Sequence, residues 1–366
     1  MTMLAAVEVD EPGEGAPSAS PRSPRRIRAL TGDDWLSLVG ALVSSLAVVT
    51  IVYLHVLDGS GVLGFAVCWY LAFLLIYASL VALSNPRPIV VERLVTATLY
   101  LAAAVVVFAL ASTVIYTFSQ GWRAMVHVNF YTHDMSGVSS NAPLNQGGIL
   151  HAIVGSIIEV SLAVAVSVPL GIGTAVYMTE VGGHGSQLVR TVVEAMTALP
   201  EILAGLFVYV VLIVGFGLSK SGLAASVAMA VTMVPIIARA GEVALRVVPS
   251  GLREASSALG ANHWKTTSKV VLPSARSGLA TGTILAVARG IGETAIVLIC
   301  SAASSFLTFD PTLPMNSLPL FIYTAYTTHE PTAIERAFGA ASVLLIMVLM
   351  LFVVIRLVVR QKGVQR

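Results

Sequence analysis

Charge is what this sequence has least of. Of its 366 residues only 11% are Asp, Glu, Lys or Arg, against about 25% in an ordinary soluble domain. That excludes a solvated globular surface over most of the chain. Cysteine is almost absent too: Cys68 and Cys300 are the two, each inside an apolar run, which excludes a disulfide framework and argues against a zinc site. No stretch reads G-x-x-x-x-G-K-[ST]. The nearest, "GFGLSKS" around Lys220, has Ser219 where that loop needs glycine. His127, His133 and Asp134 fall in one polar loop without the spacing of metal ligands. Nucleophiles and bases do not cluster, so a membrane enzyme is a weak reading, and nothing points to nucleic acid.

Apolar length is abundant. Hydrophobic residues make up 56% of the chain and the mean hydropathy is +0.87. A bilayer core needs about 20 apolar residues in a helix. Eight segments meet this, at 35–57, 62–83, 95–118, 149–178, 192–215, 222–245, 278–303 and 337–358. The expected fold class is therefore an all-α membrane protein with about eight transmembrane helices. Residues 1–30, rich in Pro, Ser and charge, read as a disordered cytoplasmic tail.

Orientation follows from lysine and arginine. Eight spans place Arg22, Arg25, Arg26, Arg28, Arg87, Arg93, Arg190, Arg246, Arg253, Lys265, Lys269, Arg276, Arg356, Arg360, Lys362 and Arg366 on one side, and only Arg123, Lys220 and Arg336 on the other. Both termini are thus expected in the cytoplasm of a bacterium, with the protein in its plasma membrane. Arg239 and Arg289 remain, inside spans, where charge is costly and marks function by default.

The most polar internal stretch, "EASSALGANHWKTTSKVVLPSA", then lies in the cytoplasmic loop 246–276. It reads as helix, break, helix. Ser250 is the expected N-cap, with Glu254 in the first turn. Gly260 is the expected left-handed C-cap, and Pro273 is expected to end a second short helix begun at Trp264. Such a segment lies on lipid or docks in a partner's groove.

Glu254, Ala255, Gly260, Leu272 and Pro273 carry a resemblance. Glu254-Ala255, Gly260 six residues on, then Val270-Val271-Leu272-Pro273 resemble the EAA loop of ABC-importer permeases, with Ser256 for the second alanine and Val270 for isoleucine. The resemblance implies a type I ABC importer permease fold, with a six-helix core (93–366) behind two N-terminal accessory helices (31–92). It also implies that this loop couples to a separate ATPase. From about Gly147 to Arg360, "LPEILAGLFVYVVLI", "ARGIGETAIVLI" and "SLPLFIYTAYTT" resemble the PstA-type subunits of phosphate ABC importers. Implied partners are a homologous C-type permease subunit, two ATP-binding subunits, an extracytoplasmic phosphate-binding protein and the lipid bilayer. No cofactor is expected on this chain itself; ATP and Mg would be used by the ATPase. Glu201, after Pro200, departs from the small residue expected there.

The expected substrate path is Arg289, Glu293 and Arg239. Arg289 and Glu293 are i and i+4, so on one helix they share a face and can pair. Gly290 and Gly292 would admit a neighbouring backbone. Two guanidiniums and one carboxylate leave net positive charge for an oxyanion, and Glu293 could accept from a P–OH group. The bland readings are a structural Arg289–Glu293 pair, Arg239 snorkelling to headgroups, Glu194 and Glu242 in water at span ends, and helix-to-helix hydrogen bonds for Glu159 and Glu201. The rivals are a permease for another oxyanion, the C-type subunit, and a proton-coupled secondary transporter using Glu159, Glu201 and Glu293 as relays.

Overall fold

A computed structural model describes residues 32–53 and 61–360. The segment 1–30 with its four arginines, the end of the first expected span, Lys362 and Arg366 lie outside the described residues. Among the described residues there are helices and no strands. Six helices are long and apolar enough to cross a membrane. A bent helix pair, Gly183–Ala198 with Glu201–Gly215, has the length and composition of a seventh if its halves are taken as one span, and an apolar helix at Trp35–Ile51 stands where the first was expected.

The chain divides into two compact units, 1–108 and 109–366. In the first, α1 (Gly32–Ile51) packs on α2 (Val62–Ser84). Ala41, Tyr77 and Val81 form the buried centre, with Leu38, Phe73 and Leu94 around them. Apolar packing alone specifies little in lipid, because the solvent is equally apolar. Polar contacts add direction: the Trp69 indole donates to Ser45 Oγ at 3.1 Å and Tyr70 to Thr98 Oγ1 at 3.0 Å. The third helix, α3 (Arg87–Met125), is 39 residues long and crosses the boundary between the units.

The second unit is built around α8 (Gly222–Arg246), the most buried of the long apolar helices. α5 (Leu150–Val176) lies against it on one side and α11 (Leu272–Ile291) on another. Small residues set these approaches. A Cβ on Gly171 of α5 would meet the Ile237 Cβ at 2.6 Å, and one on Gly282 of α11 would meet the Ala240 Cβ at 2.4 Å. Close contact of backbones replaces the missing hydrophobic drive. The sequence reading gave this role to Gly290 and Gly292, but a Cβ on Gly292 would meet only the Arg289 carbonyl, at 3.7 Å. The free N–H groups that begin α8 find loop carbonyls: Gly222 donates to Leu313 and Leu223 to Pro311. α13 (Leu318–Thr327) and α14 (Pro331–Arg360) pack on each other. The short α4 (Asn129–Thr132) precedes α5.

Two expected spans are broken. The fifth consists of α6 (Gly183–Ala198) and α7 (Glu201–Val208, widening into a π-helical turn at Tyr209–Gly215). They bend by 106° at Leu199-Pro200. Proline lacks an N–H and pushes the preceding residue into extended backbone; Leu199 adopts ψ 130. The seventh begins earlier than expected and runs His263–Ile291. It stops at Gly292 and resumes as α12 (Ala295–Cys300). Pro273 therefore does not end a helix. It sits at the start of α11, just after a π turn at Thr267–Val271, where a looser hydrogen-bond ladder absorbs the missing N–H.

Candidate functional site

The Glu254 loop is a built turn. Helix α9 (Ser250–Ala258) follows Pro249, so Ser250 is its first residue and makes no side-chain cap. Gly260 has φ +78, as expected from sequence. Its N–H donates to Ser257 and that of Ala261 to Ser256, the paired bonds of a Schellman ending. Asn262 Oδ1 then accepts from Lys265 N at 2.9 Å and starts α10 (His263–Thr266). A buried contact of 2.9 Å between the hydroxyls of Ser256 and Thr266 ties the two short helices together. Ser256, a departure from the EAA pattern, is thus what fastens the loop.

This rigid turn leaves an apolar surface open. Leu259 is 89% and Trp264 71% exposed. Leu252, Ala255, Leu259 and Val270 line a groove of about 410 Å³ edged by Lys265 and Lys269. Glu254 is exposed and has no hydrogen-bond or ion-pair partner among the described residues. Leu272 is half-buried and Pro273 exposed.

Behind the loop lies a cluster that sequence reasoning missed. Arg253 donates to Glu180 at 2.9 Å and to the carbonyls of Val248 and Leu245 at 2.7 and 3.0 Å. It joins α9 to the ends of α5 and α8, where a cation suits the open carbonyls. Glu242, expected in water, has a side chain only 5% exposed. Arg190 and Arg246 bind it at 2.8 and 2.7 Å, and Arg239 at 3.4 Å. Arg239 also reaches Glu194 at 3.2 Å. Burial of a carboxylate is tolerated here because cations compensate it. Arg239 is an ion-pair partner rather than a snorkelling cation. The partners of Glu242 and Arg253 on other helices, Arg190 and Glu180, are 52 and 73 positions away in sequence, so no spacing rule announces them.

Arg289 stands apart, where the two broken spans meet. Its helix ends two residues later, so the i, i+4 geometry with Glu293 is lost and the two form no ion pair. Arg289 instead pairs with Glu201, at the first turn of α7. The side chains are 57% and 34% exposed. Both border a small pocket with Leu199, Thr232, Pro235 and Ile236. Arg239 is one turn beyond Pro235 on α8. Glu293 is buried and faces the backbone N–H groups of Ala295 and Ile296 that open α12. A carboxylate there is favoured by the helix dipole. Behind these breaks α7 and α12 touch: a Cβ on Gly205 would lie 3.2 Å from the Ile296 Cα, and Cys300 Sγ lies 3.3 Å from the Gly205 carbonyl.

At the other end of α5, Asp134 accepts from Ser136 and from the Leu307 N–H. The Ser136 hydroxyl holds its carboxyl below the usual range. Among the described residues no group of histidine, cysteine and carboxylate is arranged to hold a metal ion.

The family described as "Binding-protein-dependent transport system inner membrane component" matches residues 167–362. The phosphate transport system permease protein PstA 1 of Mycobacterium tuberculosis is 39% identical over 232 residues, which are 63% of this chain and 76% of that protein. The PstA protein of Haemophilus influenzae is 32% identical over 63% of this chain and 82% of its own length. Among solved structures, an inward-facing MetNI methionine ABC transporter aligns at 23% identity and TM-score 0.46, covering 58% of this chain and 94% of its own.

Proposed function

The chain belongs to the family of binding-protein-dependent transport system inner membrane components, and we propose that it is the A-type membrane subunit of an ATP-driven importer of inorganic phosphate. The observation that carries this reading is its 39% identity to a phosphate permease over three quarters of that protein's length. The geometry supports it. Arg289 places a half-exposed guanidinium between two broken helices, and such breaks in membrane segments line ligand paths. A guanidinium matches the oxygens of phosphate.

In this reading the groove of Leu252, Ala255, Leu259 and Val270 receives an ATPase subunit, which holds ATP and Mg. A C-type permease subunit completes the membrane pair, a second ATPase subunit docks on it, and a phosphate-binding protein delivers from the opposite side. Closure of the ATPases moves the Glu254 loop. Arg253 passes that motion to the end of α5 and to α8, whose Thr232, Pro235 and Ile236 line the pocket beside Arg289.

The test is uptake of labelled phosphate into right-side-out vesicles carrying the assembled transporter, with the binding protein outside and ATP inside. Uptake should need ATP and resist a large excess of sulfate. Uptake driven by a pH gradient without ATP would overturn the reading in favour of a secondary transporter, and equal transport of sulfate would replace the substrate.

Topology has its own check. Reporters fused at Arg87 and after Lys362 should read cytoplasmic and one near His133 extracytoplasmic. A C-terminal reporter facing outward would reverse the assigned sides.

A further inference from the structure

The end of the second unit opposite the Glu254 loop holds a second polar pocket that the substrate path does not use. Helix α5 fixes its position. It begins at the pocket, with His151, and the π-helical turn that continues it, Tyr177–Val181, carries Glu180, the partner of Arg253. Twenty-seven residues of α5 at 1.5 Å each separate the two by about 40 Å.

The pocket has a volume of about 250 Å³ and is lined by His151, Asn316, Phe321, Thr324 and Arg336, with Ala303 at its rim. Three of its polar atoms are buried without a partner: both ring nitrogens of His151, and Asn316 Oδ1. His151 is 3% exposed, and its ring stands edge-on to Phe321 with centroids 5.5 Å apart. Asn316 is oriented by the bond from its Nδ2 to the Ser304 carbonyl at 3.1 Å, which leaves Oδ1 as the free acceptor. Buried polar atoms in folded proteins are nearly always paired, so three orphans in one cavity wall call for a ligand.

The charge of the wall selects its sign. Arg336 is 1% exposed and donates to the carbonyls of Ser140, Ala142, Pro143 and Gln146. Carbonyls satisfy its hydrogens but not its charge; no aspartate or glutamate lines the pocket, and Asp134, whose carboxylate acts on His151 from nearby, is already engaged by Ser136 and the Leu307 N–H. The hydrogen-bond pattern then narrows the class. A neutral imidazole has one N–H and one acceptor nitrogen. The two nitrogens point apart, so one small ligand meets one of them; with the N–H turned to the cavity and Asn316 Oδ1 beside it, the wall offers a donor and an acceptor beneath a positive charge. The complement is an anion that also carries an O–H.

We propose that this pocket binds a small protonated tetrahedral oxyanion, hydrogen phosphate in this transporter, before it enters the Arg289 path. The site takes the single P–OH on Asn316 Oδ1 and a P–O⁻ on the His151 N–H that faces the cavity, in the field of Arg336. Sulfate has no O–H at neutral pH and leaves Asn316 Oδ1 unpaired. The proposal rests on the phosphate reading above.

The test is equilibrium binding of labelled inorganic phosphate to the full chain in phosphatidylcholine nanodiscs, in an Arg289→Gln background that removes the path cation. That background should still bind phosphate, and sulfate should not displace it. His151→Phe, which keeps the ring's shape, and Asn316→Leu should each weaken binding by about tenfold or more. Ala303→Trp, made at an exposed rim position, should block the pocket without touching the core. Unchanged affinity in all three variants, equal displacement by sulfate, or no binding at all in the Arg289→Gln chain overturns the proposal. The two readings fail separately. If the assembled transporter takes up phosphate while these variants bind it normally, only the pocket falls. If binding here depends on His151 and Asn316 but phosphate is not transported, only the transport reading falls.

Discussion

Arg289→Gln should abolish or strongly slow phosphate uptake while the chain still inserts and assembles with its ATPase. The second half of that expectation comes from exposure. The Arg289–Glu201 pair is more than a third open on both sides on average, and exposed ion pairs contribute only about 0–1 kcal/mol to stability. Folding therefore survives its loss. The first half comes from charge. Removing the guanidinium deletes the cation at the two helix breaks and leaves Glu201 unpaired, facing an incoming anion. A lost charge-assisted hydrogen bond costs about 1.5–3 kcal/mol, or about 10- to 150-fold in binding, before the repulsion is added.

An exchange of the pair separates a substrate site from a brace. If the two residues only hold α7 to α11, Arg289→Glu with Glu201→Arg should restore most of the uptake that either single change removes. If Arg289 meets the substrate, the exchange fails, because the cation moves from the C-terminal end of α11 to the N-terminal turn of α7, where the dipole opposes it. Glu293→Gln should be mild, since an amide oxygen still faces the N–H groups of Ala295 and Ile296. Phosphate uptake in vesicles, normalised to subunit content, reads all five. Parental uptake from Arg289→Gln, or full rescue by the exchange, removes Arg289 from the path.

Why the sequence paired Arg289 with Glu293 rather than Glu201 is instructive. Hydropathy sums over a window, so a run of apolar residues counts as one helix even when its backbone stops inside it. The local signals were present: Pro200 after Leu199, and Gly290 and Gly292 two apart. Each is weak alone, because membrane helices tolerate proline and glycine when neighbours satisfy the freed groups. Pro169 and Pro235 are such cases, both inside continuous helices. Whether a proline bends a span depends on what packs beside it, and that is tertiary information. Glu242 shows the same limit. Its position near the end of a span suggested water, but Arg190 from α6 closes over it. By contrast Gly260 was fully legible, because the need for positive φ is a property of one residue and its immediate neighbours.

That local certainty makes the Glu254 loop the sharper test of coupling. Glu254→Lys costs the fold nothing that the structure shows, since the side chain is exposed and unpartnered. Any effect must come from what docks there. Reversing a charge that meets a cation across an interface costs about 2–5 kcal/mol or more, about 30-fold at the low end. The ATPase should fail to copurify, or should hydrolyse ATP without driving uptake. Gly260→Pro acts from the other side, on the shape of the loop. Proline is held near φ −65° and has no N–H. It can neither adopt the φ of +78 nor donate to Ser257. The Schellman ending then opens, and Leu259 and Trp264 no longer present one surface. Gly260→Ala keeps the N–H and only strains φ, so its loss should be smaller than that of proline. The order expected in ATP-driven uptake is parent, then Gly260→Ala, then Glu254→Lys and Gly260→Pro near zero, with all four chains equally abundant in the membrane. If Glu254→Lys and Gly260→Pro both retained the ATPase and transported at the parental rate, the groove between α9 and the π turn would not be where hydrolysis reaches the membrane helices. The Arg253 link to α5 and α8 would then be a brace for the loop and nothing more.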